Sequence, residues 1–323
     1  MLRTPVCDLL GIQHPVVQAA IWPATAPELA AVSNAGGLGS LGAVFTSAES
    51  LERQITRVRE LTTRPFAVNH VVPLLDEDAF ALTLEARPAV ISLALGDPGD
   101  LVDRAHAAGT KVIHQVHTVG QARQAAERGV DVIIAQGSEA GGQGLAQGVG
   151  VVALIPQVVD AISPLPVLAA GGIADGRGLA AALVLGAQGA NIGTRFLASQ
   201  EASAHEAWKQ AILTAESEDA VRFAVWKEIF PPSSSRAYET VPRVIRTPFV
   251  GAWHERPDDA RREAERLRGE IMSALRQGRV YELVPFTGQT AGLIHDIAPA
   301  GEIVRRIVAE AGDVLSHAAM LVT

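Results

Sequence analysis

The sequence predicts an α/β protein, a (β/α)8 TIM barrel with an inserted lid subdomain after the eighth strand. The first observation is a regular alternation of short apolar runs with helical patterns, which is typical of a parallel sheet covered by helices. The second is a pair of glycine-rich turns, at 169–173 and 189–196, each of which follows an apolar run. Paired turns of this kind form the phosphate site after the seventh and eighth strands of such barrels.

Eight apolar runs are candidate strands, and several are apolar on both faces, as strands covered by helices should be. Helix signals lie between them, including a capping-box pattern at 46–49 and helix-ending glycines at Gly109 and Gly129. An open doubly wound sheet is the alternative, but eight well-spaced units and the paired turns favour a closed barrel. The candidate strands are 16–20, 38–41, 66–69, 89–95, 111–116, 130–135, 167–170 and 190–192.

The β/α alternation stops after about residue 215, and residues 216–290 carry a proline pair, a serine run and a charged helical pattern. We interpret this segment as a lid or substrate subdomain over the carboxyl-terminal mouth of the barrel, with its charged helix face exposed to solvent. Residues 1–215 and 291–323 then form the cofactor-binding barrel, which a helix over 299–315 closes. Four aromatic residues of the insertion either form its core or line a substrate pocket: Trp226, Tyr238, Phe249 and Trp253.

Composition excludes several classes of protein. The formal net charge of −8 and the lack of a basic run argue against a nucleic-acid surface or a polybasic membrane patch. Cys7 is the only cysteine, so no intrachain disulfide can form, and we expect its side chain to be buried and to serve in packing. No signal-peptide pattern and no apolar stretch of roughly 20 residues occurs. We therefore expect a cytoplasmic protein without a membrane segment.

The segment that follows the sixth predicted strand combines glycines with polar residues that could bind a ligand. Residues 136–144 read Gln-Gly-Ser-Glu-Ala-Gly-Gly-Gln-Gly, at the end of a barrel strand where active sites lie. Glycine here would let a flat ligand lie against the backbone, while the interleaved polar side chains could contact it. A flexible turn is the alternative interpretation.

With these motifs in order, the chain resembles the nitronate monooxygenase family, also called 2-nitropropane dioxygenase-like. These proteins are FMN-dependent barrels related to FMN-dependent enoyl-ACP reductases. The resemblance covers nearly the whole chain and depends on seven segments that together are far more specific than any one alone. The matching segments are 15–19, 31–39, 66–69, 136–144, 169–173, 189–196 and 288–294.

The resemblance implies FMN as the cofactor. Its phosphate would bind the backbone amides of Gly171, Gly172, Gly193 and Thr194, with the threonine hydroxyl as a further donor. A polar residue at the position of Gln115 would stabilise the anionic reduced flavin. The other flavin-contacting positions that the resemblance implies are Ala19, Ala20, Asn69, Gln136, Gly137 and Gly142.

Gln143 is a departure from the family, whose proposed catalytic base is a histidine at this position. A carboxamide cannot act as a general base near neutral pH, although it can donate and accept hydrogen bonds. His70 follows Asn69 and is a candidate replacement base if it projects into the mouth; a structural histidine is the alternative. Trp22 would either line the flavin site or serve only in packing. Arg195 would either contact the ligand or form an ion pair.

The activity implied by the resemblance is the oxidation of alkyl nitronates with O2. An NAD(P)H-dependent flavin reductase of an enone, quinone or enoyl thioester is the alternative, and a non-catalytic flavin-binding protein is a third hypothesis from another class. No metal site is expected, because strand alternation sends His114 and His117 to opposite faces. The sequence leaves open whether the chain forms a homo-oligomer.

Overall fold

The computed structural model describes residues 2–231 and 239–321. Eight parallel strands form its main sheet, and each begins close to a predicted position. Tyr238 lies outside the described residues. The strands of this sheet are β1 (Val16–Gln18), β2 (Gly39–Gly42), β3 (Phe66–Val71), β4 (Val90–Ala94), β5 (Lys111–Val116), β6 (Val132–Gln136), β8 (Val167–Ala170) and β9 (Gly189–Ile192). β7 (Gly142–Leu145) lies in the loop after β6 and belongs to a second sheet.

The main sheet closes on itself. Its strands follow the order β1-β9-β8-β6-β5-β4-β3-β2, and a parallel bridge between Val17 and Leu38 joins the first strand to the last. The amide of Leu38 donates to the Val16 carbonyl at 2.9 Å across this seam. The predicted (β/α)8 barrel is therefore confirmed, and the open doubly wound sheet is wrong.

Helices cover the outer face of the barrel. They begin at predicted signals: Ser47 accepts a hydrogen bond from the Ser50 amide at the start of the third helix. The covering helices are α2 (Ala30–Asn34), α3 (Ala48–Leu61), α4 (Glu77–Ala86), α5 (Leu101–Ala107), α6 (Val119–Glu127), α7 (Val151–Ile162), α8 (Gly176–Val184) and α15 (Ala300–Ala319). The last of these packs on α8 and α2, which confirms the predicted closing helix.

Side-chain alternation divides the barrel core into two layers. Ala67 on β3 belongs to the interior cluster, whereas its neighbour Val68 belongs to a cluster facing the helices. The short helix α1 (Pro5–Leu10) closes the amino-terminal end of the barrel and places Cys7, which is fully buried, in the interior cluster. Cys7 is thus a packing residue, as the sequence predicted.

A second sheet lies over the barrel and was not predicted. It contains β10 (Ala220–Arg222) and β11 (Thr240–Ile245), and it pairs β11 with β7, all antiparallel. Short helices surround this sheet, and a hydrophobic cluster of their own, which includes Trp208, Phe223 and Leu267, holds them together. The surrounding helices are α9 (Thr194–Leu197), α10 (Glu206–Thr214), α11 (Trp226–Ile229), α12 (Pro248–Trp253), α13 (Pro257–Arg262) and α14 (Ala264–Arg276).

The division into two domains stays a prediction, because the cluster under the second sheet also takes in Trp208 and Ile212, which precede residue 216. None of the helices in the described parts of the chain combines the length and the hydrophobicity that a membrane-spanning segment requires.

Candidate active site

A cavity of about 600 Å³ opens at the carboxyl-terminal ends of the barrel strands. Strand ends form its floor, and residues of the insertion, including Trp226 and Met272, form the opposite wall. Active sites of such barrels lie at this end. The predicted site residues that line the cavity are Ala19, Ala20, Asn69, Gln115, Gln136, Gly142, Gln143, Gly171, Gly172, Gly193 and Thr194.

Two glycines at the end of β8 adopt backbone conformations that favour glycine. Gly171 has φ +90° and Gly172 has φ +72°. A Cβ on Gly171 would lie 2.9 Å from the Ala140 amide nitrogen, so glycine is needed for the loop after β6 to pack against this turn. The N–H groups of both glycines find no protein acceptor among the described residues. They are therefore available to an anionic ligand.

The turn after β9 lies beside this one because β8 and β9 are parallel neighbours, with Ala170 opposite Asn191. A Cβ on Gly193 would meet nothing closer than the Ala19 side chain at 3.8 Å, so the turn has an open face. The hydroxyl oxygen of Thr194 accepts the Gly288 amide at 2.9 Å. Its own hydrogen remains free to donate into the cavity.

Primary amides line the cavity beside the glycine turns. The Asn69 side chain donates to the carbonyl and the hydroxyl of Ser92, at 3.2 and 3.1 Å, which fixes its orientation. Nε2 of Gln136 donates to the main-chain carbonyl of Gln143 at 2.8 Å. Gln115 lines the floor from β5. Several primary amides therefore face one ligand volume.

Gln143 differs from the other amides in its hydrogen bonding. It lies on β7, where it pairs with Pro242 of β11. Its Oε1 atom is buried and has no hydrogen-bond partner within the described parts of the chain. A buried carboxamide oxygen without a partner is unfavourable, so this atom is a candidate for contact with a ligand.

His70 is not brought to the cavity, which corrects its prediction as a replacement base. Strand alternation turns Asn69 inward and His70 outward, toward α4. There it is buried, forms a 2.9 Å hydrogen bond with the Thr83 hydroxyl and packs edge-on against Phe80. Burial lowers the pKa of His70 to about 4. It is a structural histidine of the helix layer.

Gly137 also lies behind the cavity wall rather than in it, contrary to its prediction as a flavin contact. Its amide donates to the Ala170 carbonyl at 2.8 Å and so joins β6 to β8. A Cβ here would come within 2.5 Å of the Glu139 and Val151 side chains. Glycine is therefore required at this position for packing.

The histidines of β5 do not form a pair. His114 faces the helix layer and His117 follows the strand; both are buried, and burial lowers the pKa of each to about 4. Within residues 2–231 and 239–321, no group of three or more histidine, cysteine or acidic side chains could hold a metal ion. Arg195 forms an ion pair with Asp296 at 2.8 Å, so the ion-pair alternative is confirmed.

The aromatic residues divide between the two expected roles. Trp22 lines the mouth, edge-on to Phe45 at 5.1 Å, and Trp226 lines the insertion wall. Phe249 and Trp253 pack against the apolar cluster beneath the second sheet.

Sequence reasoning missed several residues that line the cavity or lie behind its wall. Arg268 is on α14, whose charged face was expected to be solvent-exposed only, yet the residue lines the cavity. Glu139 also lines it and accepts the Val151 amide at the start of α7. Arg222 and Arg243 lie behind the wall, on strands that carry no recognisable hairpin signal in the sequence.

The barrel, its glycine turns and the amide-lined mouth define a cofactor-binding β/α-barrel enzyme. A family model described as nitronate monooxygenase matches residues 3–81 and 76–310. The chain belongs to the nitronate monooxygenase family.

One of two similar curated proteins carries the family's description, and the other has the name of a dehydrogenase. A probable nitronate monooxygenase from Staphylococcus saprophyticus is 37% identical over 267 residues, which cover 68% of this chain and 75% of that protein. A (3aS,4S,5R,7aS)-5-hydroxy-7a-methyl-1-oxo-octahydro-1H-indene-4-carboxyl-CoA dehydrogenase from Mycobacterium tuberculosis is 41% identical over 218 residues, covering 66% of this chain and 61% of that protein.

Solved structures give the same result over almost the full length. FabK from Thermotoga maritima has a TM-score of 0.89 and 33% identity, covering 99% of this chain and 100% of its own. Nitroalkane oxidase from Streptomyces ansochromogenes has a TM-score of 0.80 and 28% identity, covering 97% and 99%. The chain is thus an oxidoreductase of this family, and the family supports a flavin cofactor.

Proposed function

We propose that the protein is an FMN-dependent nitronate monooxygenase, which oxidises alkyl nitronates with O2. The observation that carries this proposal is a cavity in which two open glycine turns adjoin an amide-lined wall, formed by Gln136 and the loop at 138–143. The turns fit a phosphate, and the wall fits a small planar anion that requires hydrogen-bond donors. Similarity to the Staphylococcus protein and to the Streptomyces nitroalkane oxidase supports this reaction.

The residues of the cavity fit FMN. The amides of Gly171, Gly172 and Gly193 and the Thr194 hydroxyl would hold its phosphate, since these donors lie at neighbouring strand ends. Ala19 and Ala20 contribute small side chains to the floor, which leaves room for a flat ring. FMN, when bound, supplies the two-electron redox chemistry that the protein side chains lack.

Gln143 would orient the substrate rather than remove its proton. Its Nε2 group can donate to a nitronate oxygen, and its unpartnered Oε1 can accept from a ligand or water. Because a carboxamide is no general base near neutral pH, the enzyme would use the preformed nitronate anion in preference to the neutral nitroalkane.

A second candidate function is the NAD(P)H-dependent reduction of an enone, quinone or enoyl thioester. It is favoured by the absence of a basic side chain at position 143 and by the similarity to FabK, an enoyl-ACP reductase. In this reaction Gln143 would hydrogen-bond a substrate carbonyl, a role that needs no proton transfer from it.

Anaerobic reduction of the flavin separates the two candidates. The yellow protein is mixed with propyl-2-nitronate, NADH or NADPH, and loss of the flavin absorbance is recorded. Bleaching by the nitronate is the expected result. Bleaching by NADH or NADPH, but never by the nitronate, would replace the first function with the second.

The variant Gln143→His tests the assigned role of Gln143. We expect it to gain activity on neutral 2-nitropropane, because histidine can act as the missing base. His70→Gln is the matched control, since His70 faces the helix layer, and it should leave the activity on both substrates unchanged. If neither the wild type nor Gln143→His acts on either form of the nitro compound, the nitronate assignment is wrong.

A further inference from the structure

Two arginines lie directly opposite each other behind the amide-lined wall. Arg222 of β10 pairs with Arg243 of β11 in the antiparallel register, and Arg243 in turn pairs with Gly142 of β7. Arg243 is 8% exposed, and Arg222 is partly buried. The second sheet thus brings two guanidinium groups next to the strand that carries Gln143.

Both arginines converge on one carbonyl of the loop after β6. Arg222 Nη2 donates to the Ser138 carbonyl at 2.9 Å, and Arg243 donates to the same oxygen through Nε at 3.2 Å and Nη2 at 2.8 Å. Gly144 permits this approach, because a Cβ there would lie 2.7 Å from Arg222 Nη1. Two charged side chains therefore fix the loop that forms the wall.

Among residues 2–231 and 239–321, neither guanidinium has a carboxylate within 4.0 Å, whereas the buried Arg195 is paired with Asp296. Residues 232–238 include no aspartate or glutamate. Burial lowers the pKa of Arg243, and burial together with the charge of Arg243 lowers that of Arg222 to about 10. Glu139 is the one carboxylate that counteracts both shifts.

The local charge is therefore unbalanced in favour of the cations. Glu139 supplies one negative charge against two positive ones, and it already accepts the Val151 amide. His117, which the charge of Arg222 also disfavours as a cation, is neutral because burial lowers its pKa to about 4. Like charges directly opposite in a sheet are destabilising. Such a violation of local packing rules is expected where function requires it.

We propose that Arg222 and Arg243 form a buried cationic pair that stabilises negative charge on a ligand bound against the wall at 138–143. They are positioning residues, because they do not line the cavity. They act on the ligand by fixing the loop and through their electrostatic field, which is weakly screened at a buried site. The inference rests on the proposed function only in that the reacting species is an anion.

Propionate and propionamide test this proposal, because both are planar and nearly equal in shape but only propionate is charged. Binding to the flavin-loaded protein is measured by calorimetry for the wild type, Arg222→Gln and Arg222→Lys. We expect Arg222→Gln to weaken the binding of propionate about tenfold, while the affinity for propionamide stays within twofold of the wild type. Arg222→Lys, which keeps the charge but not the planar guanidinium group, should recover most of the propionate affinity.

Arg246→Gln is the matched control, because it removes the same charge from an exposed position just beyond β11. It should leave both affinities unchanged. Arg243→Gln and Arg243→Lys repeat the comparison if the Arg222 variants do not fold. Equal weakening of propionate and propionamide would show a purely structural role, and unchanged propionate binding would show no role; either result overturns the proposal.

Failure of the proposed function would be seen separately. Binding of propionate needs no turnover, so a protein that NADPH reduces and a nitronate does not could still show the charge-dependent difference. Conversely, nitronate oxidation with equal propionate affinities in the wild type and in Arg222→Gln would retain the function and reject the cationic pair.

Discussion

The two sides of the cavity are built in different ways. The glycine turns after β8 and β9 present backbone amides, and neighbouring strands of one sheet bring them together. The opposite side depends on side chains from β7 and from β10 and β11, which follow β7 by about 80 to 100 residues in the chain and pair with it in the second sheet. The first side is thus set by local sequence and backbone conformation, and the second by tertiary pairing.

The largest expected effect comes from pH and acts on the barrel that carries both sides, because His70 and His114 lie beneath the barrel helices and His117 lies near Arg222. Burial holds the pKa of each histidine at about 4, below the unfolded value of about 6.5. Between these values the unfolded chain binds more protons, so the free energy of unfolding falls as the pH falls from 6.5 to 4. The slope is up to about 1.4 kcal/mol per pH unit for each histidine.

Urea unfolding at several pH values measures this slope. His70→Gln, which can keep a hydrogen bond to Thr83, should have a shallower slope than the wild type over the same range. Identical slopes would mean that His70 titrates alike in the folded and unfolded chains.

Gly171→Ala tests the backbone side of the cavity. The added Cβ would lie 2.9 Å from the Ala140 amide at φ +90°, so the turn must move and its amides must lose their common direction. We expect the Kd for FMN to rise about 100-fold, as the weakening of two charge-assisted hydrogen bonds implies. Fluorescence titration of the apoprotein with FMN measures this change.

Gly129→Ala is the control for backbone strain. Gly129 has φ +83°, open space around its Cβ position and no contact with the cavity. It should lose stability through the strained φ but bind FMN normally. A similar loss of FMN affinity in both variants would indicate global damage instead of a local phosphate site.

Gln143→Leu tests the side-chain wall. It keeps the volume but removes the donor and the unpartnered acceptor, so we expect the KM for the nitronate to rise about tenfold. The Kd for FMN should stay within twofold of the wild type. Gln157→Leu, at an exposed position on α7, makes the same substitution outside the cavity and should change neither value. If FMN affinity falls together with substrate affinity, the two sides are not separable.

Asp296→Asn gives the smallest effect and sharpens the comparison of arginines. Arg195 would lose its carboxylate partner but keep its bonds to the Ala198 and Asp296 carbonyls. Because the Asp296 side chain is 47% exposed, we expect a loss of only about 1 kcal/mol in the free energy of unfolding. Propionate affinity should not change. Suppose instead that propionate affinity rises in Asp296→Asn by as much as it falls in Arg222→Gln. The electrostatic field at the wall would then not be local to the Arg222–Arg243 pair.

These differences explain how far the sequence could predict the molecule. Glycine turns such as 169–173 are informative because backbone freedom is a local property, and the barrel follows from the spacing of the strands. The orientation of His70 is predictable in the same way, because side chains alternate along β3: if Asn69 faces the cavity, His70 cannot. The pairing of Arg222 with Arg243 has no such local signal, since both strands are short and join only through tertiary contacts.

The central claim is that FMN binds with its phosphate on the paired turns of β8 and β9. A crystal structure of the protein grown with FMN tests it most directly. We expect the phosphate within hydrogen-bonding distance of the amides of Gly171, Gly172 and Gly193, with the ring extending toward Gln136. A phosphate bound elsewhere, with these three amides directed at water, would contradict the account.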